Sequence, residues 1–170
     1  NPNNFRIAIS NVWGDYQLTC PTILFGQELA KHEPSSRYYA YRMMQSIPSP
    51  MGNQTWMGVM HGQDGIMIMA APVKTRAEDK QLSQIMTRAW TNFAKTGDPG
   101  VMGEVKWEEA FEEKADAASD KVTRHMSLNV NAFQMVSGTY RNTCDHFWKD
   151  KIDATQAQTL NTLHKRKHEL

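Results

Sequence analysis

The sequence predicts part of an α/β fold. Residues 37–44 are rich in aromatic and apolar side chains, which is typical of a buried strand. Helical patterns dominate the rest of the chain, most clearly at 78–95 and again from 132. A lone strand cannot satisfy its own backbone hydrogen-bonding groups. We therefore expect 1–170 to be the C-terminal portion of a larger α/β domain, with one or two sheet strands and several helices.

The first part of the chain predicts a helix, a strand and a loop, in that order. Residues 5–20 predict irregular structure. Pro21 suits the first turn of a helix, and Glu33-Pro34 ends that helix. The segment 37–44 then predicts a strand that is buried on both faces. The prolines and polar residues of 47–55 predict a loop.

The second part predicts two helices joined by an exposed connection. Between 78 and 95, apolar residues recur at the helical period, which predicts one core-facing stripe. Gly97 suits the left-handed residue that ends such a helix. The stretch 100–120 is polar and acidic and predicts a connection that is exposed apart from its anchors, Trp107 and Phe111. The second helix, from 132, is predicted to carry on one face Phe133, Val136, Tyr140, Cys144, Phe147 and Trp148.

Composition indicates one globular domain and argues against two classes of partner. The chain of 170 residues is 40% hydrophobic and 22% charged, which allows one sizeable core. With 19 basic and 18 acidic side chains, no nucleic-acid-binding surface is indicated. No apolar stretch approaches the roughly 18 residues of a membrane helix. We assign 1–153 to the domain and 154–170 to a polar tail.

The two cysteines, Cys20 and Cys144, leave two possibilities open. Their spacing excludes a zinc ribbon and a CxxC redox pair. They are either two buried thiols or one disulfide that closes a long loop. The choice depends on the redox state of the compartment.

Two short motifs predict that this compartment is the lumen of the endoplasmic reticulum. The last four residues, Lys167-His168-Glu169-Leu170, differ at one position from the Lys-Asp-Glu-Leu retrieval signal. The retrieval receptor is therefore an expected partner. Asn53-Gln54-Thr55 is an N-glycosylation sequon in a polar loop. An oxidising lumen favours a bridge between Cys20 and Cys144.

The strongest functional signal lies in the segment 56–64. His61 is followed by Gly62, and the carboxylate of Asp64 lies three positions on. Small neighbours let the backbone turn tightly and project an imidazole from a loop into a cleft. Histidine can take and return a proton near neutral pH. The alternative is a structural histidine in a methionine-rich turn.

Four blocks of sequence occur in a recognisable order. They are 14–16 with Cys20-Pro21, the segment 56–62, the helix end 90–99, and 141–144 with Phe147-Trp148. Together they resemble the C-terminal third of the type-B carboxylesterase/cholinesterase family of α/β hydrolases. The resemblance covers about 5–150 and implies that fold. The tail is similar to those of carboxylesterases retained in the endoplasmic reticulum.

The resemblance implies a role for His61 as the histidine of a Ser-Glu-His triad, acting as base for the serine and then as acid for the leaving alcohol. The residues implied to support its loop are Trp56, Gly58, Gly62 and Asp64. The family's order of triad residues places the serine and glutamate before Asn1. The resemblance therefore implies an esterase, with an ester substrate and no cofactor or metal. The N-terminal remainder of that esterase would be a partner of this chain. We expect this chain to be inactive alone.

Departures from the family pattern bear on specificity. Gln63 stands where cholinesterases carry an aromatic residue that faces a quaternary ammonium, which argues against a choline-ester specialist. Methionines replace phenylalanines in 66–72. They either fill the core or, with Gln63, line a broad acyl pocket through Met67 and Met69. The rival function is a catalytically silent adhesion or binding module of the same fold. Retention of His61 favours the enzyme.

Overall fold

The chain is divided between two units. The computed structural model describes residues 2–48, 55–69, 76–112, 122–138 and 140–168. One unit combines the two ends of the chain with a short middle segment, and the other consists of residues 37–112 and 124–137. The first unit contains both cysteines, and the second contains the His61 segment and the core-forming strands.

The helices in the described residues confirm two of the sequence predictions. Their bounds are α1 Pro2–Gly14, α2 Cys20–His32, α3 Gln63–Ile68, α4 Ala77–Thr96 and α5 Lys149–His168. Pro21 lies in the first turn of α2, which ends before Glu33 as predicted. Gly97 caps α4 with φ of 71°, a left-handed conformation that favours glycine. A π-helical stretch, Asp15–Thr19, joins α1 to α2, and another, Arg141–Trp148, leads into α5.

The strands are short, and most of them form one sheet. Their bounds are β1 Tyr41–Met43, β2 Val101–Met102, β3 Val105–Lys106, β4 Phe111–Glu112, β5 Val122–Leu128 and β6 Gln134–Ser137. The strand β5 pairs with β1, β4 and β6 in a four-stranded sheet, while β2 and β3 form a separate antiparallel pair. Because β1 is parallel to β5, with Tyr41 opposite Met126, the α/β class is confirmed.

The structure corrects the predicted number and burial of strands. Six strands occur in the described residues, against the predicted one or two, because five of the six have only two to four residues and leave too short a pattern to detect. The strand predicted at 37–44 is only three residues long, and it is not buried on both faces, since Tyr41 is 37% exposed. The predicted connection at 100–120 contains β2, β3 and β4. Trp107, which was predicted to anchor it, is buried, so that part of the prediction is confirmed.

Two predicted elements were of the wrong type. Residues 5–20 are helical rather than irregular, and the apolar side chains of α1 follow helical spacing at Phe5, Ile9, Val12 and Trp13. The helix predicted from 132 starts only at Arg141, because Gln134–Ser137 pair with β5 in an antiparallel ladder. Hydrogen bonding to a distant strand therefore decides the conformation of that segment.

The core of the second unit forms between α4 and the sheet. The stripe of α4 contributes Leu82, Met86 and Ala89, and β5 contributes Met126 and Leu128. All five side chains are buried, which confirms that the stripe of α4 is part of a core. Methionine suits such an irregular space because its unbranched side chain adapts to its neighbours.

The core of the first unit surrounds a disulfide. Cys20 and Cys144 are bonded, with their Cα atoms 5.0 Å apart, and both are fully buried. Ile152 of α5 completes this cluster, and Tyr16, Ile23, Leu24, Tyr140 and Trp148 pack against it. The predicted bridge is confirmed. A buried disulfide of this kind is typical of proteins that fold in an oxidising compartment.

Candidate active site

His61 lies in an exposed turn of the second unit, just before α3. Gly58 and Gly62 flank it with φ of 62° and 84°, and Gly62 is the N-cap residue of α3. Such left-handed conformations cost little for glycine and are strained for residues with a Cβ atom. The turn therefore depends on glycine on both sides of the imidazole.

Replacing Gly62 with alanine should destabilise this turn. Although a Cβ atom at Gly62 would meet no neighbour within 4 Å, φ of 84° would strain an alanine by about 1–2 kcal/mol. Gly65 lies in α3 without a positive φ and also has open space at its Cβ position, so Gly65→Ala is the matched control. Urea unfolding of the complete protein should show a loss for Gly62→Ala alone. Equal stability of the two variants would contradict the inference that the turn depends on glycine at position 62.

Side chains and backbone on both sides of the turn fix it to the segment that follows β1. Ser46 Oγ donates to the carbonyl of Gly58 at 2.9 Å. Gln63 Nε2 donates to the carbonyl of Ile47 at 3.3 Å, and Gln63 Oε1 accepts from the Met60 N–H at 3.2 Å. The Gln63 side chain is only 3% exposed. It therefore points into the protein and holds the turn from within.

The side chain of Asp64 is fixed to the sheet. Tyr41 of β1 donates its hydroxyl proton to Asp64 Oδ2 at 2.6 Å. Its ring packs edge-on against Trp90 and Trp107, with centroid distances of 4.9 and 6.1 Å. Burial, followed by the hydrogen bond to Asp64 and its negative charge, raises the pKa of the Tyr41 hydroxyl. Tyr41 is consequently a donor over the whole physiological pH range.

A buried carboxylate fixes the segment that carries these contacts. Asp79 is fully buried at the start of α4 and accepts from Arg76 Nε at 2.9 Å and from Gln45 Nε2 at 2.7 Å. Arg76 also donates to the carbonyl of Ser46 at 2.6 Å, and Gln45 Oε1 accepts from the Val130 N–H at 3.0 Å. Burial alone would raise the pKa of Asp79, but these hydrogen bonds outweigh it and lower that pKa.

The family relationship follows from comparison with known proteins. The model of the carboxylesterase family matches residues 1–148, which is most of the chain. The chain belongs to the carboxylesterase family.

Several relatives of this carboxylesterase-family chain are cholinesterases by name. Acetylcholinesterase of Gallus gallus is 34% identical over 112 residues, which cover 63% of this chain and 14% of that protein. Acetylcholinesterase-1 of Trittame loki is 28% identical, covering 87% and 25%. Cholinesterase of Mus musculus is 28% identical, covering 88% and 24%. The chain therefore spans at most about a quarter of the length of these relatives.

The structure separates the residues that were predicted to line an acyl pocket of this carboxylesterase-family chain. Gln63 holds the turn, and Met67, 2% exposed, belongs to the core of the second unit. Met69 is 81% exposed. The burial of Met67 agrees with the core-filling alternative, and the pocket roles stay predictions. Trp56, predicted to support the turn, is exposed.

Other predicted features lie partly outside the described residues. Asn53 of the sequon is among these, as are Glu169 and Leu170 of the retrieval-like tail. Within the described part of the chain, no cluster of histidine, cysteine or carboxylate side chains could hold a metal ion. The described helices include none that is both long and apolar enough to cross a membrane.

Sequence reasoning missed Tyr41 as a member of this site. It was counted only as an aromatic residue of the strand, although a tyrosine that packs its ring against other aromatic residues still carries a hydroxyl that needs a partner. That requirement is the signal that could have identified it.

Proposed function

We propose that the complete protein containing this chain is a serine carboxylic-ester hydrolase and that His61 is its catalytic base. The observation that carries the proposal is the exposed histidine in a glycine turn that Ser46, Gln63 and Tyr41 hold in place. Exposure leaves the imidazole free to meet a nucleophile. Because the residues around His61 are held in place, less movement of the turn is required before the imidazole can transfer a proton.

The proposed chemistry is acyl transfer through a serine. His61 takes the hydroxyl proton as the serine oxygen attacks the ester carbonyl, and the same proton passes to the leaving alcohol. Water then attacks the acyl-enzyme with His61 again as base, releasing the acid and restoring the serine. The serine, the glutamate partner and the oxyanion hole belong to the N-terminal remainder of the domain. The chain on its own is therefore proposed to be inactive.

The proposed substrate is a small-molecule or lipid ester rather than a choline ester. Gln63 replaces the aromatic side chain that would attract a quaternary ammonium, and its side chain points into the protein. The presence of Gln63 in place of that aromatic residue supports a general carboxylesterase of the kind retained in the endoplasmic reticulum.

The proposed location is the lumen of the endoplasmic reticulum. The disulfide between Cys20 and Cys144 supports an oxidising compartment. The tail Lys167-His168-Glu169-Leu170 supports retrieval by its receptor, and Asn53 is the proposed glycosylation site.

Labelling of the complete protein with a fluorophosphonate probe tests the proposed function. The probe should attach to the serine at a rate comparable to an active esterase, and residues 1–170 alone should stay unlabelled. Hydrolysis of 4-nitrophenyl butyrate should exceed hydrolysis of butyrylthiocholine. A folded complete protein that neither reacts with the probe nor turns over either ester would be the silent binding module instead.

A further inference from the structure

The contact between Tyr41 and Asp64 joins the sheet to the histidine turn. The two residues are 23 positions apart in sequence, and their side-chain oxygens are 2.6 Å apart. Asp64 lies three residues after His61 and in the first turn of α3. A hydrogen bond to a carboxylate is stronger than one between neutral groups, so this contact is a firm attachment.

The tyrosine side of this contact is rigid. The ring of Tyr41 is perpendicular, within about 12°, to those of Trp90 and Trp107, the interplanar angle being 78° in both pairs. The indole of Trp107 is itself fixed, because its Nε1 donates to the carbonyl of Ala40 at 3.1 Å. Edge-to-face packing of this kind restricts the ring, and with it the direction of the hydroxyl.

The other contacts of the turn hold its N-terminal side and its interior, so they do not replace the contact between Tyr41 and Asp64. Ser46 binds the backbone at Gly58, on the N-terminal side of His61. Gln63 binds Ile47 and Met60 and so fixes the interior of the turn. The Tyr41 hydroxyl binds the side chain of Asp64, which follows both of these contacts along the chain and lies in the first turn of α3. The imidazole therefore lies between two points of attachment.

We propose that Tyr41 is a positioning residue for His61, acting through the hydrogen bond between its hydroxyl and Asp64. This proposal rests on the proposed function, because it assigns Tyr41 to the placement of the catalytic base. Tyr41 itself does not touch the substrate or the reacting atoms. It limits the range of positions from which the imidazole can reach the serine.

Kinetics of Tyr41→Phe in the complete protein test the proposal. This variant keeps the ring between Trp90 and Trp107 and removes only the donor. We expect kcat for 4-nitrophenyl butyrate to fall by about 10-fold with KM changed less than about twofold, because misplacement of a catalytic group affects the transition state more than binding. Tyr39→Phe is the matched control, since the hydroxyl of Tyr39 lies near Arg37 rather than the turn. It should retain the wild-type kcat.

A double-mutant cycle decides whether Tyr41 acts through Asp64. If it does, Asp64→Asn and Tyr41→Phe together should lower kcat little further than the more harmful single change. Multiplied effects would show that the two side chains act independently and would overturn the proposal. A wild-type kcat in Tyr41→Phe would overturn it as well.

Hydrogen exchange separates failure of this proposal from failure of the proposed function. Amides of residues 58–64 should exchange faster in Tyr41→Phe than in the wild type and in Tyr39→Phe. If the wild type shows no turnover, the proposed function fails, and faster exchange would still support Tyr41 as the attachment of the turn. Unchanged exchange in Tyr41→Phe would overturn the attachment, whether or not the wild type is active.

Discussion

Replacing His61 with glutamine in the complete protein is expected to lower kcat by roughly 10⁴-fold or more. Glutamine retains a polar side chain of similar reach but cannot accept a proton and return it near neutral pH. Without that exchange the serine attacks as a neutral alcohol, and the leaving alkoxide receives no proton. The measurement is steady-state hydrolysis of 4-nitrophenyl butyrate.

The matched control is His146→Gln, which makes the same change at an exposed histidine of the first unit. Both variants should fold and accumulate like the wild type, because neither imidazole is buried. Thermal unfolding of each variant should match the wild type closely. Turnover at the wild-type rate in His61→Gln would refute its role as the base, and equal losses in both variants would indicate damage unrelated to the site.

The elements that the sequence predicted well are those whose signals are local. The stripe of α4 repeats over several turns, and Gly97 ends it at the expected residue. The bounds of α2 were likewise predictable, because Pro21 in its first turn and Pro34 just after its end have backbone preferences that their own rings impose. The glycines around His61 belong to the same class, since the absence of a Cβ atom is what permits their positive φ angles.

The elements that it missed depend on distant partners. Phe133 and Val136 are spaced as in a helix, yet the segment pairs with β5 as an antiparallel strand. Three residues of β1 are extended because they pair with Met126, Ser127 and Leu128, which lie 85 positions further along the chain. Sequence periodicity does not identify which distant segment a strand will pair with. The apolar residues of α1 did have helical spacing, so that element was open to prediction.

The candidate site likewise contains a part with local sequence signals and a part that depends on distant contacts. His61 and its glycines are contiguous, and their motif was recognisable. The Tyr41–Asp64 contact was not, because it requires β1 to be placed in register beside the turn. The disulfide was predicted only as one of two alternatives until compartment was considered, since 124 positions separate its cysteines.

Removing the disulfide is expected to cost the complete protein about 4–5 kcal/mol of unfolding free energy on entropic grounds, because the bridge closes a loop between positions 124 residues apart. Cys20→Ala with Cys144→Ala removes the constraint from the unfolded chain. It also empties space in a fully buried cluster beside Ile152, which adds to the loss. Urea unfolding followed by circular dichroism measures the total.

Reduction of the wild type separates the two contributions. The reduced wild type keeps both sulfur atoms in the cluster, so its loss reports the constraint without the cavity. The double alanine variant should be insensitive to reductant and less stable than the reduced wild type. Peptide mapping without reductant should recover Cys20 and Cys144 in one linked pair. Free thiols at both positions would contradict the bridge and would remove the structural support that it gives to an oxidising compartment.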